Sequence, residues 1–465
     1  MSFDSLDYLL FLPLVTLLHW LCPQKVRWAV LLFASLFFYA SWNPAMTLLL
    51  LSVIAVSYIA GLLLRNHEKP RARKTILVIS LLLCAGFLLY FKYFHFLAGT
   101  VESVIHIWDA SVHFSLREII LPVGLSFYTF QAMSYVIDVY RGALPAEIHP
   151  GYYALYISFF PQLVAGPIER AGDILGQLKQ KRVFSNEGAK MGLRLLLSGF
   201  FRKIVIADCC GRFVDAVYSL DMPDGFAVLL ATILFSFQIY CDFAGYSEIA
   251  AGSARLLGIR LSKNFDRPYL SSSIRDFWRR WHITLSRWFQ DYVYIPLGGS
   301  KKGLLRQVLA LWVVFLLSGL WHGADWSFVL WGALHGVFMT GEVWLSRRSK
   351  QKGAGLLHVA FTFLLVTFSW IFFRASSISH AFSLLQCLFS PWNISAGWAA
   401  LGMDGLDALW ILLALAALPL LHRLADERET NISTSLYAYF FLVVILAFWL
   451  RLDANIANAF IYFQF

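Results

Sequence analysis

The sequence predicts an all-α, polytopic membrane protein with about 11–12 transmembrane helices plus re-entrant and interfacial segments. Three observations carry that reading. Of 465 residues, 59% are hydrophobic and only 14% charged, against roughly 25% charge on an ordinary soluble chain. Apolar runs recur along the whole length, and the basic residues gather in the short loops between them, as the positive-inside rule requires of cytoplasmic loops. That placement also explains the net charge of +10 without nucleic acid.

Five apolar runs come first, at 8–22, 28–42, 45–64, 75–97 and 119–140. Seven follow, at 203–220, 225–243, 307–321, 326–345, 355–373, 405–421 and 434–450. Most are long enough to cross a bilayer, and the first two lean on flanking aromatics. The acidic start Met1 to Asp7 leads directly into the first run without a signal-peptide pattern, so that run is expected to stay as a span. Arg65, Lys69, Arg71, Arg73 and Lys74 place the third loop in the cytoplasm. Counting crossings then puts Met1 and Phe465 outside, 99–118 outside, and Arg347, Arg348, Lys350 and Lys352 inside.

The segment 151–167 breaks this parity, because it is apolar yet flanked by Arg141 and by Lys179, Lys181 and Arg182. A re-entrant segment resolves the conflict, interrupted by Pro161, Gly166 and Pro167 and lining a cavity. The chain therefore reads as one integral-membrane domain, 1–465, with N-terminal spans at 1–150, a core at 151–350 and C-terminal spans at 351–465. Cys22, Cys84, Cys209, Cys210, Cys241 and Cys387 show no disulfide or metal spacing and read as small apolar packing residues.

The chemistry concentrates in two places: Trp278-Arg279-Arg280-Trp281-His282, and Gly319-Leu320-Trp321-His322-Gly323-Ala324 ahead of Trp326. Two imidazoles among tryptophans in an apolar chain suggest acid/base work inside the membrane, since an apolar setting favours the neutral, basic ring. In the basic stretch 256–306, Trp278, His282, Leu285 and Phe289 fall on one helical face, with Arg275, Arg279 and Arg287 away from it. The bland alternatives are an interfacial histidine in an aromatic belt at 322 and a carbonyl-bonded one at 282. His335 reads as packing, and a metal site from His282, His322 and His335 lacks ligand spacing and a carboxylate. Asp138, Asp242 and Glu248 need partners within the membrane, which arginines of the basic stretch can supply; Asp242 is expected to line a cavity. No GxSxG elbow, P-loop or dinucleotide fingerprint occurs, which removes support for a serine hydrolase, a nucleotide hydrolase and a dehydrogenase.

At residues 163–170 (LVAGPIER), 238–245, 264–269, 274–299, 319–326 and 460–465, the chain resembles the membrane-bound O-acyltransferase (MBOAT) family. Within it, the resemblance is to the alginate O-acetylation branch, related to the teichoic-acid D-alanyl transfer branch. That resemblance implies a central tunnel, where a cytoplasmic donor channel meets an outer acceptor funnel. It implies His322 as the essential general base and His282 as an orienting or donor-holding residue. Arg275, Arg279, Arg280 and Arg287 would hold donor phosphates, and Trp278, Trp281, Trp321 and Trp326 would exclude water. No tightly bound cofactor is implied; the donor is acetyl-CoA or an acylated carrier protein. The expected partners are membrane lipid, extracytoplasmic acetyltransferases and a polysaccharide acceptor, at a bacterial inner membrane. Other readings are D-alanyl or peptidoglycan acyl transfer, a polysaccharide exporter or transporter, and a non-catalytic scaffold. A transporter is disfavoured because no paired halves with matching broken helices are visible.

Overall fold

A computed structural model describes residues 1–109, 111–116, 119–164, 166–348, 355–426 and 434–453, and these are helices and connecting loops with no strand among them. Ala165, Lys350, Lys352, the end of the 99–118 loop and the 460–465 motif lie outside the described residues. Among the described residues, seven helices are long and apolar enough to cross a membrane: Pro44–Asn66, Pro70–Ile105, Gly225–Leu256, Leu304–His322, Trp326–Ser346, Leu356–Arg374 and Gly405–Leu424. Shorter apolar helices occupy Leu6–Leu21, Arg27–Ala40, Ile378–Leu388 and Leu436–Ala447. At 1.5 Å per residue, a 23-residue helix such as Pro44–Asn66 reaches about 35 Å, enough for the hydrocarbon core. Its start is written locally: the Asn43 side chain accepts from the Ala45 and Met46 amides, and Pro44 fits the first turn.

The residues form two compact units, Met1–Gly192 with Ser253–Ser262, and Leu193–Gly252 with Lys263–Phe465. These boundaries differ from the sequence-read divisions at 150 and 350. Residues 151–192 pack with the N-terminal helices, and the Leu356–Arg374 helix joins the core unit, because burial follows tertiary contact rather than the position of charged loops.

In the first unit the segment expected to be re-entrant is a broken helix, Pro150–Ser158 and Phe160–Leu163, too short to cross and buried almost throughout. The break at Phe159 frees the Phe160 amide, which donates to the Ser35 hydroxyl at 3.0 Å, while the Phe160 ring packs on Phe11 and Phe38. Tyr8 meets Ser253 at 2.7 Å, and Glu169 binds Ser262 through its hydroxyl at 2.9 Å, tying 253–262 to this unit.

The runs at 119–140 and 203–220 are not among the seven spanning-length apolar helices. The run at 119–140 is helical only over Leu125–Arg141; Gly124 starts it at φ 75°, where a Cβ would lie 2.5 Å from the Leu163 carbonyl oxygen. The run at 203–220 belongs to a helix that passes through a π-helical turn, Phe201–Ala207, into Asp208–Tyr218. Arg202 and Lys203 on that turn are buried in protein, so it carries internal charge rather than a lipid-facing surface.

Candidate functional site

His322 is the last residue of the Leu304–His322 helix, which Gly323 ends in extended backbone. Glycine decides its place. A Cβ on Gly319 would meet the Phe328 carbonyl oxygen at 2.3 Å, and one on Gly332 would meet the Phe315 carbonyl oxygen at 2.3 Å. The Leu304–His322 and Trp326–Arg348 helices therefore touch backbone to backbone, the close approach that small residues permit between membrane helices. This contact sets the buried His322 ring against Trp331 at 5.0 Å, nearly perpendicular, with Trp321 at 4.9 Å and Phe373 at 5.5 Å.

His282 does not continue a helical face. The expected single helix breaks into Ile274–Arg280 and Ile283–Phe289, and His282 between them adopts φ 41°, ψ 55°. A left-handed non-glycine residue is costly and persists only where its surroundings impose it. Here Asn264 does so: its Oδ1 accepts from His282 Nδ1 at 3.1 Å and from the Thr284 hydroxyl at 3.0 Å, while its amide donates to Ser247 Oγ at 3.1 Å. The Ile283 amide donates to the Asn264 carbonyl. Full burial pushes the His282 imidazole down to about 3, so the ring is neutral, with its proton on Nδ1. Its ring stands perpendicular to Phe243 at 4.6 Å and lies 5.7 Å from Trp321. Both histidines thus border one indole, that of Trp321.

His335 is a packed residue. Its Nδ1 accepts from Trp278 Nε1 at 3.3 Å and its Nε2 meets Ser369 Oγ at 3.1 Å. Trp331 lies between His322 and His335, and Trp321 between His282 and His322, so the three rings form an aromatic series and not a converging ligand set.

A groove of about 340 Å³ opens beside this series. Arg275, Arg279 and Gln307 are among its polar lining residues, and Trp278, Leu285, Phe315 and Ser318 among its inner ones. Ser318 lies one helical turn before His322. Of the expected basic shelf, Arg275 and Arg279 line the groove, with Arg275 also 3.9 Å from Glu342; Arg280 is held by Asp276 at 3.0 Å and Arg287 projects outward, exposed. Among the four tryptophans, Trp278, Trp281 and Trp321 are buried; Trp281 stacks on Phe277 and packs on Trp370. Trp326 is half exposed at its helix start.

Asp242 pairs with Lys203 at 2.8 Å, and Lys203 also holds Asp208 at 2.8 Å; Glu248 pairs with Arg202 at 3.0 Å. These partners come from the π-helical turn and not from the basic stretch 256–306, because a π turn carries the adjacent Arg202 and Lys203 both into the interior. Asn264, Trp331, Gly332, Phe373, Ser318 and Lys203 also belong to the surroundings of the two rings, the groove and the buried ion pairs. Asn264 sat inside a recognised motif, and the glycine pair Gly319 and Gly332 was visible as small residues on neighbouring runs.

The profile of the membrane-bound O-acyltransferase family matches residues 143–378, a span containing every residue of the groove and both histidines. A probable alginate O-acetylase of Pseudomonas aeruginosa is 36% identical over 399 residues, 85% of this chain and 76% of its own. A peptidoglycan O-acetyltransferase of Helicobacter pylori is 34% identical over 391 residues, 77% of this chain and 72% of its own. A teichoic acid D-alanyltransferase of Bacillus subtilis is 26% identical over 339 residues, 65% of this chain and 84% of its own.

Proposed function

This chain belongs to the membrane-bound O-acyltransferase family and is a multi-pass O-acyltransferase, and we propose that it transfers acetyl groups from a cytoplasmic thioester donor for O-acetylation of a secreted polysaccharide such as alginate or cellulose. The observation that carries this reading is the groove: a two-arginine lining with an apolar interior that reaches Ser318, one turn from the buried His322.

Arg275 and Arg279 are suited to the phosphates of acetyl-CoA or of a carrier's phosphopantetheine, because planar guanidinium groups bind phosphate oxygens in pairs. The apolar interior takes the thioester arm. A neutral His322 accepts the proton of an acceptor hydroxyl as its oxygen attacks the thioester carbonyl. The carbon–sulfur bond breaks, the new ester forms, and the imidazolium returns its proton to the departing thiolate. A base positioned in this way typically contributes about 10²–10⁴-fold. His282, fixed by Asn264, orients Trp321 and through it the His322 ring. Buried tryptophans keep water from the thioester. The acceptor is a hydroxyl of the polymer or of an extracytoplasmic acetyltransferase partner. The setting is the bacterial inner membrane with both termini outside. Identity of 34–36% to acetyl-transferring relatives against 26% to a D-alanyl one supports acetyl as the group moved.

The test is His322→Ala in a cell that exports the polymer. The expected result is export at the usual level with ester acetate lost and no ester-linked D-alanine lost instead. Retained ester acetate overturns the reading: with reduced export it points to a transporter, and with normal export to a scaffold.

A further inference from the structure

A second cavity, of about 640 Å³, lies between the Gly225–Leu256 and Gly405–Leu424 helices and the turn at Pro268–Leu270, and the acyl-transfer scheme does not use it. Its polar lining is Arg267, Arg423, His422, Tyr240 and Tyr269; Phe237, Leu415 and Leu418 are among its apolar lining residues. Three features mark it as built for an anionic amphiphile.

The first is strain. Among the described residues, only Arg267 and His282 are non-glycine residues with positive φ, and Arg267 holds φ 49°, ψ 56° just ahead of Pro268. Such a backbone persists where the surrounding structure requires a side chain at that point, and it clusters at ligand-holding positions. The second is charge. Two guanidinium groups line one apolar cavity, in a chain where the charge pattern assigns both 267 and 423 to the cytoplasmic side, the side of anionic lipid. The third is a preformed wall. Tyr240 meets His422 Nε2 through its hydroxyl at 2.9 Å and receives Arg202 at 3.4 Å, and Arg202 is locked to Glu248. Tyr269, on another wall, donates to the Ser236 carbonyl at 2.6 Å and accepts from Trp370 at 3.2 Å.

We propose that this cavity holds an anionic phospholipid, with its phosphate between Arg267 and Arg423 and an acyl chain along Phe237, Leu415 and Leu418. Lipid-facing walls supply the chain's environment, since much of the Gly405–Leu424 helix is exposed apolar surface, including Leu409, Leu412 and Leu413. Because Trp370 packs on Phe373, which touches His322, the bound lipid buttresses the aromatic series from behind. This site stands independently of the donor and acceptor assigned above.

The experiment uses delipidated full-length protein in detergent, titrated with phosphatidylglycerol, phosphatidylcholine or inorganic phosphate, with retention read by native mass spectrometry and melting temperature read in parallel. Phosphatidylglycerol is expected to be retained and to raise the melting temperature beyond phosphatidylcholine, while inorganic phosphate alone does neither. Arg423→Gln, which leaves the strained turn untouched, should weaken phosphatidylglycerol about fivefold, and Arg267→Gln with Arg423→Gln about thirtyfold, leaving phosphatidylcholine unchanged. Equal retention of the two lipids by the native protein overturns the proposal, as does an anionic preference left undiminished in Arg423→Gln. A matching shift with inorganic phosphate reassigns the site to a free anion and also overturns it.

Discussion

His282 and His322 border the same tryptophan, yet different forces put them there. His322 is placed by shape: two glycines remove the Cβ atoms that would hold two helices apart, and aromatic rings fill the remaining space. His282 is placed by hydrogen bonds, on a backbone that only a specific acceptor, Asn264, keeps left-handed. The contrast separates their roles. Under the proposed mechanism, the ring gripped through Nδ1 by a fixed amide orients, while the ring at the helix terminus, one turn past Ser318 of the groove, takes and returns the proton.

The largest expected effect follows from that division. His322→Gln should lower kcat for acetyl transfer by about 10²–10⁴-fold, while His282→Asn should cost roughly ten- to a hundredfold. Asparagine tolerates the left-handed backbone, so the second variant tests the ring and not the turn. Initial rates with labelled acetyl donor on protein inserted at equal level read both. Equal losses at the two positions would mean that the two rings share one role.

Next is the glycine contact. Gly332→Val pushes a side chain against the Phe315 carbonyl, a backbone atom that cannot rotate away. The expected cost is about 3 kcal/mol, at the top of the overpacking range, with kcat falling because His322 moves with its helix. The same change at Gly336, where a Cβ meets only Trp312 ring atoms at 3.4 Å and beyond, should be mild by comparison. Melting temperature and kcat measured together distinguish a displaced imidazole from a merely weakened bundle.

The two histidines also show what a sequence can and cannot reveal. Both rings, Trp278, Arg275 and Arg279 were legible because their signals are local: a motif, a charge cluster, a run length. The break at His282 was not, since 274–289 has an unbroken helical pattern and the acceptor that bends it lies 18 positions upstream. The pairing of Asp242 with Lys203 was hidden for the same reason, because it joins residues 39 positions apart and depends on a π turn that no periodicity announces. Crossing helices were legible where the apolar run was uninterrupted. The runs at 119–140 and 203–220 misled, because buried protein surface and lipid-facing surface are equally apolar in composition.

Asn264→Ala sharpens the comparison from the hydrogen-bonding side. It strips the acceptor from His282 Nδ1 and from the Thr284 hydroxyl and leaves Ser247 without its donor. Removing a buried acceptor costs about 1–3 kcal/mol, and the loss in kcat should resemble that of His282→Asn and not that of His322→Gln. A double variant, Asn264→Ala with His282→Asn, should be no slower than the worse single one, since both act on the same ring. Additive losses would mean that Asn264 serves the site by some other route.

The smallest effect is the share of the pH dependence that His282 contributes. Its ring titrates at about 3 in the folded protein because it is buried against Phe243 and Trp321, and near 6.5 once unfolded. Above pH 6.5 both states are neutral and the native arrangement keeps its full stability. As pH falls below that point, the unfolded chain takes up a proton that the folded chain refuses, so stability declines with acidification. From pH 7 to pH 6 the decline from this one group is about 0.7 kcal/mol. His282→Asn removes the titrating ring but keeps the left-handed turn, so its melting temperature should fall less over that interval than that of the native protein. Parallel curves would show a ring that protonates as readily folded as unfolded, and with it would go the neutral, Asn264-gripped state on which the orienting role depends.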